Sequence, residues 1–120
     1  MNDNEKIQLL FQEGLKYYRV GNYFEAHESW EEMWSDYYLI DRRFIQGLIQ
    51  LSVSFVHLEN GNIKGAKSLL KKSIEKFEEF HGTQRGINLN DLLQQINQVN
   101  DVYANLVSVD TFDWDIIPKI

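Results

Sequence analysis

The chain has 120 residues, of which 43% are hydrophobic and 13% aromatic, and this content is enough to fill one hydrophobic core. It contains no cysteine, which excludes disulfides, thiolate nucleophiles and zinc fingers, so any metal would need histidine and carboxylate ligands. Its net charge is -6, and the basic residues of 61–85 are interleaved with glutamates, a pattern that argues against nucleic acid as a partner.

The sequence also lacks the marks of export or membrane insertion. Its first residues do not have the basic and then apolar order of a signal peptide, and no apolar run approaches the roughly 18 residues that span a bilayer. We therefore expect a cytoplasmic protein without a membrane partner.

Apolar residues recur at spacings of three and four positions along most of the chain, which predicts five helices. The predicted helices cover residues 3–19, 23–37, 41–59, 62–80 and 90–107. The glycine-asparagine turns at 21–22 and 61–62 are too short to carry the chain to a distant position. The helices that they join should therefore be antiparallel neighbours. The one proline is Pro118 and no flexible linker interrupts the sequence, so we expect a single helical domain over residues 1–120.

The two turns also begin a weak repeat. Residues 21–26 and 61–66 both have glycine, asparagine and an apolar residue in succession, and both end in alanine. A small residue after the turn lets two helices approach closely, as in tetratricopeptide hairpins, although those repeats have a period of about 34 residues. The sequence thus predicts an all-α fold: a compact bundle of two antiparallel hairpins resembling tetratricopeptide hairpins, with the fifth helix as a cap. A C-terminal helix and a wrapping tail, which includes Trp114, should occupy residues 88–120.

The third predicted helix should be the centre of this fold. No charged residue occurs from Phe44 to Leu58, which indicates burial on most sides. Gly47 costs roughly 1 kcal/mol against alanine in a helix interior, so its presence suggests that another backbone passes close by.

A helical wheel of the second helix shows one aromatic face that also carries a histidine. This face consists of Tyr23, His27, Trp30, Trp34 and Tyr37, with Glu31 at its margin. His27 and Glu31 are four positions apart and therefore within reach of each other, and large rings nearby would strengthen the coupling between their charges.

The third helix carries one polar stripe on an otherwise apolar cylinder: Arg43, Gln46, Gln50, Ser54 and His57. Polar groups inside a packed domain need hydrogen-bond partners, and leaving one without costs about 1–3 kcal/mol. We therefore expect the stripes of helices two and three to face each other. The expected cluster consists of His27, Glu31, Arg43, Gln50 and His57.

These residues also carry a resemblance to a known family. The run His27-x-x-x-Glu31-x-x-Trp34, followed by Gln46-Gly47-Leu48-Ile49-Gln50, resembles domain-of-unknown-function family 309. The resemblance covers roughly residues 10–80. It implies a small helical bundle found in prokaryotes and in plastid-bearing lineages, and it implies no established activity.

Two functions fit the predicted cluster. The first is a binding or interaction module, in which the cluster fixes the helix register and a groove or a homodimer face serves a protein partner. A small anionic ligand is a second kind of partner, because the fork of Arg43 could bind a carboxylate in a bidentate manner. The candidate ligand-binding residues are His27, Glu31, Trp34, Arg43, Gln46, Gln50 and His57.

The alternative function is a small hydrolase or small-ligand enzyme. The sequence offers neither a cysteine nor a nucleophile elbow, which leaves general acid-base catalysis as the chemistry of such an enzyme. His27 would act as the general acid or base, and Glu31 would adjust its basicity. We predict no cofactor, but His27, Glu31 and His57 form a possible ligand set for a divalent metal. A purely structural role also stays open, in which Glu31 orients the imidazole of His27 between the tryptophans.

Overall fold

A computed structural model describes residues 1–120 and confirms the all-helical fold. Its helices are α1 (Asp3–Arg19), α2 (Tyr23–Asp36), α3 (Arg42–Glu59), α4 (Ile63–Phe77) and α5 (Leu89–Ala104). Strands β1 (Thr83–Gln84) and β2 (Ile87–Asn88) form a small antiparallel hairpin between α4 and α5. The tail contains two single turns of 3-10 helix, at Val109–Thr111 and Trp114–Ile116. No helix has the length and apolar character needed to cross a membrane.

The helices form a row in which each one packs mainly on the next in the chain. The molecule measures 46 × 27 × 20 Å, and one continuous core of 25 buried residues runs through all five helices. Two contacts show that α1 and α2 are antiparallel. Trp30, in the second half of α2, donates to the carbonyl of Phe11 in the middle of α1, whereas Tyr23, at the start of α2, contacts Tyr18 near the end of α1. The capping position expected of α5 agrees with its packing on α4.

The two glycine-asparagine turns have the same backbone geometry. Gly21 and Gly61 adopt positive φ angles of 83° and 76°, which glycine reaches without the strain that a side chain brings. The amide of Asn22 then donates to the carbonyl of Tyr17 at 2.9 Å, and the amide of Asn62 donates to that of His57 at 2.8 Å. Each turn is thus a Schellman motif that closes one helix and starts the next.

Helix α3 lies at the centre, as expected. Its apolar side chains Phe44, Ile45, Leu48, Leu51, Phe55 and Leu58 are completely buried. The expectation for Gly47 was wrong in one respect, because a side chain rather than a backbone passes close to it. A Cβ atom at Gly47 would lie 2.8 Å from Cε1 of the Phe77 ring, so glycine makes room for an aromatic residue of α4.

The β-hairpin was not expected, and helix α4 ends three residues before the predicted 80. Arg85 and Gly86 at the hairpin tip have positive φ angles of 49° and 81°. Arg85 forms hydrogen bonds of 2.5 and 2.9 Å with Asp41, which precedes α3, and its guanidinium lies 5.3 Å from the centre of the Phe11 ring. The hairpin therefore attaches to the segment before α3, and its arginine reaches α1.

The C-terminal tail packs on the first helical hairpin. The buried hydroxyl of Tyr18 donates to the carbonyl of Pro118 at 2.7 Å, and the amide of Lys119 donates to the side chain of Gln95 in α5 at 2.9 Å. Trp114 packs its ring edge to face with Phe112 and stacks beside Tyr23.

Candidate functional site

His27 and Glu31 are in contact, as their spacing suggested. Nε2 of His27 lies 2.8 Å from the Glu31 carboxylate, and Nδ1 lies 2.9 Å from the backbone carbonyl of Phe24. The His27 side chain is 20% exposed and that of Glu31 is 56% exposed. The pair therefore lies at the surface, in contact with water, and not between the tryptophans.

Both ring nitrogens of His27 face groups that can only accept hydrogen bonds, the carbonyl of Phe24 and the carboxylate of Glu31. Both nitrogens are therefore engaged by contacts within α2.

The polar stripe of α3 borders α4 and not α2. At one end of the stripe, Arg43 donates from Nε and a terminal nitrogen to both carboxylate oxygens of Glu79, at 2.6 and 2.5 Å. At the other end, Nδ1 of His57 lies 3.3 Å from the side-chain nitrogen of Asn62. The hydrogen bond from Arg43 lowers the pKa of Glu79 from its usual value.

The predicted cluster of His27, Glu31, Arg43, Gln50 and His57 is therefore wrong as a single network. The wheel placed the stripe on one side of α3 correctly, but it could not tell which neighbouring helix would cover that side. The arginine fork proposed for an anion is already engaged by Glu79. The metal set of His27, Glu31 and His57 is also wrong, because no three histidine, aspartate or glutamate side chains come together in a way that could hold a metal ion.

The remaining candidates are Trp34, Gln46 and Gln50. Trp34 is half-buried, and the guanidinium of Arg42 lies over its ring at 4.1 Å. The indole nitrogen of Trp34 and the side-chain oxygen of Gln50 are buried without a hydrogen-bond partner, whereas Gln46 is partly exposed. A role for Trp34, Gln46 and Gln50 in ligand binding stays a prediction.

Sequence reasoning missed a groove that lies under the C-terminal tail, which we call the tail groove. It has a volume of about 530 Å³. It is lined by Tyr18, Arg19, Tyr23, Trp114, Asp115, Ile117, Pro118, Lys119 and Ile120. Two features of the sequence pointed towards this groove: the aromatic character of Tyr23 and the expected wrapping of Trp114. The sequence did not show that these two residues would come into contact.

A second depression, which we call the turn cleft, continues from Tyr23 between the two helix turns. It consists of adjoining cavities of about 280 and 260 Å³. It is lined by Gly21, Asn22, Tyr23, Phe24, Glu25, Val56, Glu59, Asn60 and Trp114.

The turn cleft is acidic, whereas the tail groove has charges of both signs. Partial loss of solvent raises the pKa of Glu59, and repulsion by Glu25 raises it further. Burial raises the pKa of Tyr23, and the nearby Glu59 adds to this effect. No lysine or arginine lines the turn cleft, so its negative charge is not compensated by the chain.

The residues of the helical hairpins place the chain in a family. Residues 11–69 match the family described as Domain of unknown function (DUF309). This segment includes both glycine-asparagine turns, the His27–Glu31 pair and most of the turn cleft. A comparison with curated proteins finds no match, and a comparison with solved structures finds none either. The resemblance noted in the sequence is thus confirmed, and residues 11–69 of the chain belong to the family described as Domain of unknown function (DUF309).

Proposed function

We propose that the protein is a binding module whose ligand occupies the tail groove and the adjoining turn cleft. The observation that carries this proposal is the way the groove is built. Residues from α1, α2 and the tail, separated by about 100 positions in the chain, converge on one concave surface of about 530 Å³. Concave sites of about 300–1,000 Å³ with aromatic walls and a few polar groups are typical of ligand pockets.

The tail that forms one wall is held by specific polar contacts. Tyr18 donates to the Pro118 carbonyl, and Nε of Arg19 donates to the carbonyl of Ile120 at 2.7 Å. A wall that is fixed before the ligand arrives lowers the entropic cost of binding. This pre-formed shape supports a binding role.

The hydrolase alternative has less support from the geometry. A general base needs a nitrogen that can accept a proton from the substrate, and both nitrogens of His27 already face acceptors. The surface beside His27 is lined by Glu28, Glu31, Glu32, Ser35 and Asp36, with no apolar wall to position a substrate. We assign His27 and Glu31 a structural role on the surface of α2.

The proposal is tested by titrating the isotope-labelled protein with a library of small neutral, acidic and basic compounds while recording its amide and indole NMR signals. We expect the ligands that bind to shift the indole signal of Trp114 and the amides of Gly21 and Asn22. Trp114→Ala should abolish the shifts of the Gly21 and Asn22 amides, whereas Tyr38→Ala, which removes an aromatic ring that is 86% exposed, should leave all of the shifts unchanged. Ligands that shift only the signals around His27, or a library without a single binder, would contradict the proposal.

A further inference from the structure

The turn cleft combines two features that together select one class of ligand. Gly21, Tyr23 and Glu59 line both of its cavities, so the two volumes lie side by side against the same residues. One end is aromatic, and the sides carry carboxylates. Gly21 has no side chain to fill the opening, and a Cβ atom there would meet nothing within 4 Å.

The aromatic end consists of Tyr23 and Trp114. Their rings are nearly parallel, with an angle of 18° and a centroid separation of 6.4 Å. Trp114 remains 37% exposed, although most large aromatic residues of this chain are buried. The faces of tryptophan and tyrosine rings carry partial negative charge and attract cations within about 6 Å of the ring centre.

The carboxylates are Glu25 and Glu59. Glu59 is the last residue of α3, where the backbone carbonyls of the helix end add partial negative charge to that of the side chain. Partial desolvation and the nearby Glu25 raise its pKa, and no lysine or arginine lines the cleft beside it. Arg19 and Lys119 line the tail groove, but neither lines the turn cleft.

The hydroxyl of Tyr23 is a further polar group at this place. Tyr23 is only 9% exposed, and the hydroxyls of its neighbours are satisfied: Tyr18 donates to Pro118, and Tyr103 pairs with Ser54 at 3.1 Å. The Tyr23 hydroxyl has no such partner in the chain. It can therefore hydrogen-bond a ligand that enters between it and Glu59.

We infer that the turn cleft binds an alkylammonium group, primary or methylated, between the rings of Tyr23 and Trp114 and the carboxylates of Glu25 and Glu59. This inference rests on the proposed binding function and specifies its ligand. The group is the head of a small amine or the side chain of a lysine in a partner, since both present the same chemistry. The acidic stretch from Gly21 to Asp41, which contains six carboxylates and no lysine or arginine, would attract such a cation over a longer range.

The experiment titrates the whole chain with four probes at constant ionic strength and follows the indole signal of Trp114 by NMR. The probes are butylammonium, choline, the neutral isostere of choline in which carbon replaces the nitrogen, and a capped tripeptide with a central lysine. We expect butylammonium and choline to shift the Trp114 signal in a saturable manner, and the neutral isostere to have at least about fivefold lower affinity. Stronger binding by the tripeptide than by butylammonium identifies a protein partner as the source, and the reverse identifies a small amine.

Two variants with equal change in charge locate the site. Glu59→Gln removes a carboxylate of the cleft and should weaken binding about fivefold, whereas Glu32→Gln removes an exposed carboxylate of α2 outside the cleft and should have no effect beyond ionic screening. Equal binding of the cation and its neutral isostere would overturn this inference and leave the binding function standing. Absence of binding by all four probes, with other compounds binding in the tail groove, would overturn it as well. If no compound of any class shifts Trp114, both proposals fail.

Discussion

Arg85, at the tip of the β-hairpin, and Asp41, at the start of α3, form the best-shielded ion pair of the protein. The Arg85 and Asp41 side chains are 22% and 17% exposed, whereas the Arg43–Glu79 pair is 55% and 40% exposed. Because Arg85→Met would leave the partly desolvated carboxylate of Asp41 without its partner, we expect this substitution to destabilise the protein by about 2 kcal/mol. Arg43→Met should have a clearly smaller effect, because solvent screens its exposed pair with Glu79. Urea unfolding of both variants checks the difference, and equal losses would show that the hairpin does not shield its pair.

Gly47 is expected to resist substitution because Phe77 packs on it. Alanine would gain about 1 kcal/mol in helix propensity, but overpacking against the ring should cost about 1–3 kcal/mol. We expect Gly47→Ala to be net destabilising in urea unfolding. In a Phe77→Leu background, the same substitution should become neutral or stabilising, because the smaller side chain leaves room for a methyl group. An equal loss in both backgrounds would contradict the contact.

The helical part of the fold was predictable because its signals are local. The spacing of apolar residues defined α1 to α5. The glycines at 21 and 61 marked the turns, because each turn requires a residue with a positive φ angle. The β-hairpin was not predictable, because its strands have two residues each and its tip is Arg85-Gly86 and not the asparagine-glycine pair typical of such turns.

The site was less predictable than the fold because it depends on contacts between distant segments. The pairing of His27 with Glu31 follows from helix geometry alone, but the partner of Arg43 depends on which helix packs beside α3. A helical wheel gives the direction of a side chain and not its neighbour. The tail groove brings Tyr23 and Trp114 together across some 90 residues, and no local pattern contains that information.

The tail depends on the hydroxyl of Tyr18, which is buried and donates to Pro118. Tyr18→Phe would leave the Pro118 carbonyl without its donor, so we expect a loss of about 1–2 kcal/mol. The amides of Lys119 and Ile120 should then exchange faster with solvent. Tyr17→Phe, at a neighbouring residue whose hydroxyl makes no such bond, serves as the control. Unchanged amide exchange in Tyr18→Phe would show that other contacts hold the tail.

His27 should matter little for stability or for binding. Its pair with Glu31 is partly exposed, and such pairs contribute under about 1 kcal/mol. We expect His27→Ala to lower the free energy of unfolding by no more than this amount, and to leave the Trp114 response to ligands unchanged. A variant that folds normally but loses ligand binding would instead support the enzyme hypothesis, in which His27 touches the substrate.

Glu59 should destabilise the protein at neutral pH while it helps to bind a cation. Its pKa in the folded state is raised above the ordinary value of 4.5, so the folded protein holds this proton more tightly than the unfolded chain does. Protonation of Glu59 therefore stabilises the folded state. This stabilisation is complete below pH 4.5 and is lost as the pH rises through the pKa that Glu59 has in the folded protein. We therefore expect Glu59→Gln to raise the melting temperature at pH 7, and to have little effect at pH 3, where the carboxyl is protonated in both states.

This prediction separates damage to the fold from loss of a binding group. If Glu59→Gln weakened cation binding by disturbing the structure, its melting temperature at pH 7 would fall together with its affinity. A carboxylate that is retained for its ligand gives the opposite result, since its removal stabilises the free protein and weakens the complex. Glu32→Gln, measured at the same two pH values, accounts for the change in net charge. A lower melting temperature for Glu59→Gln at pH 7 than for Glu32→Gln would contradict the unfavourable charge assigned to Glu59 in the turn cleft.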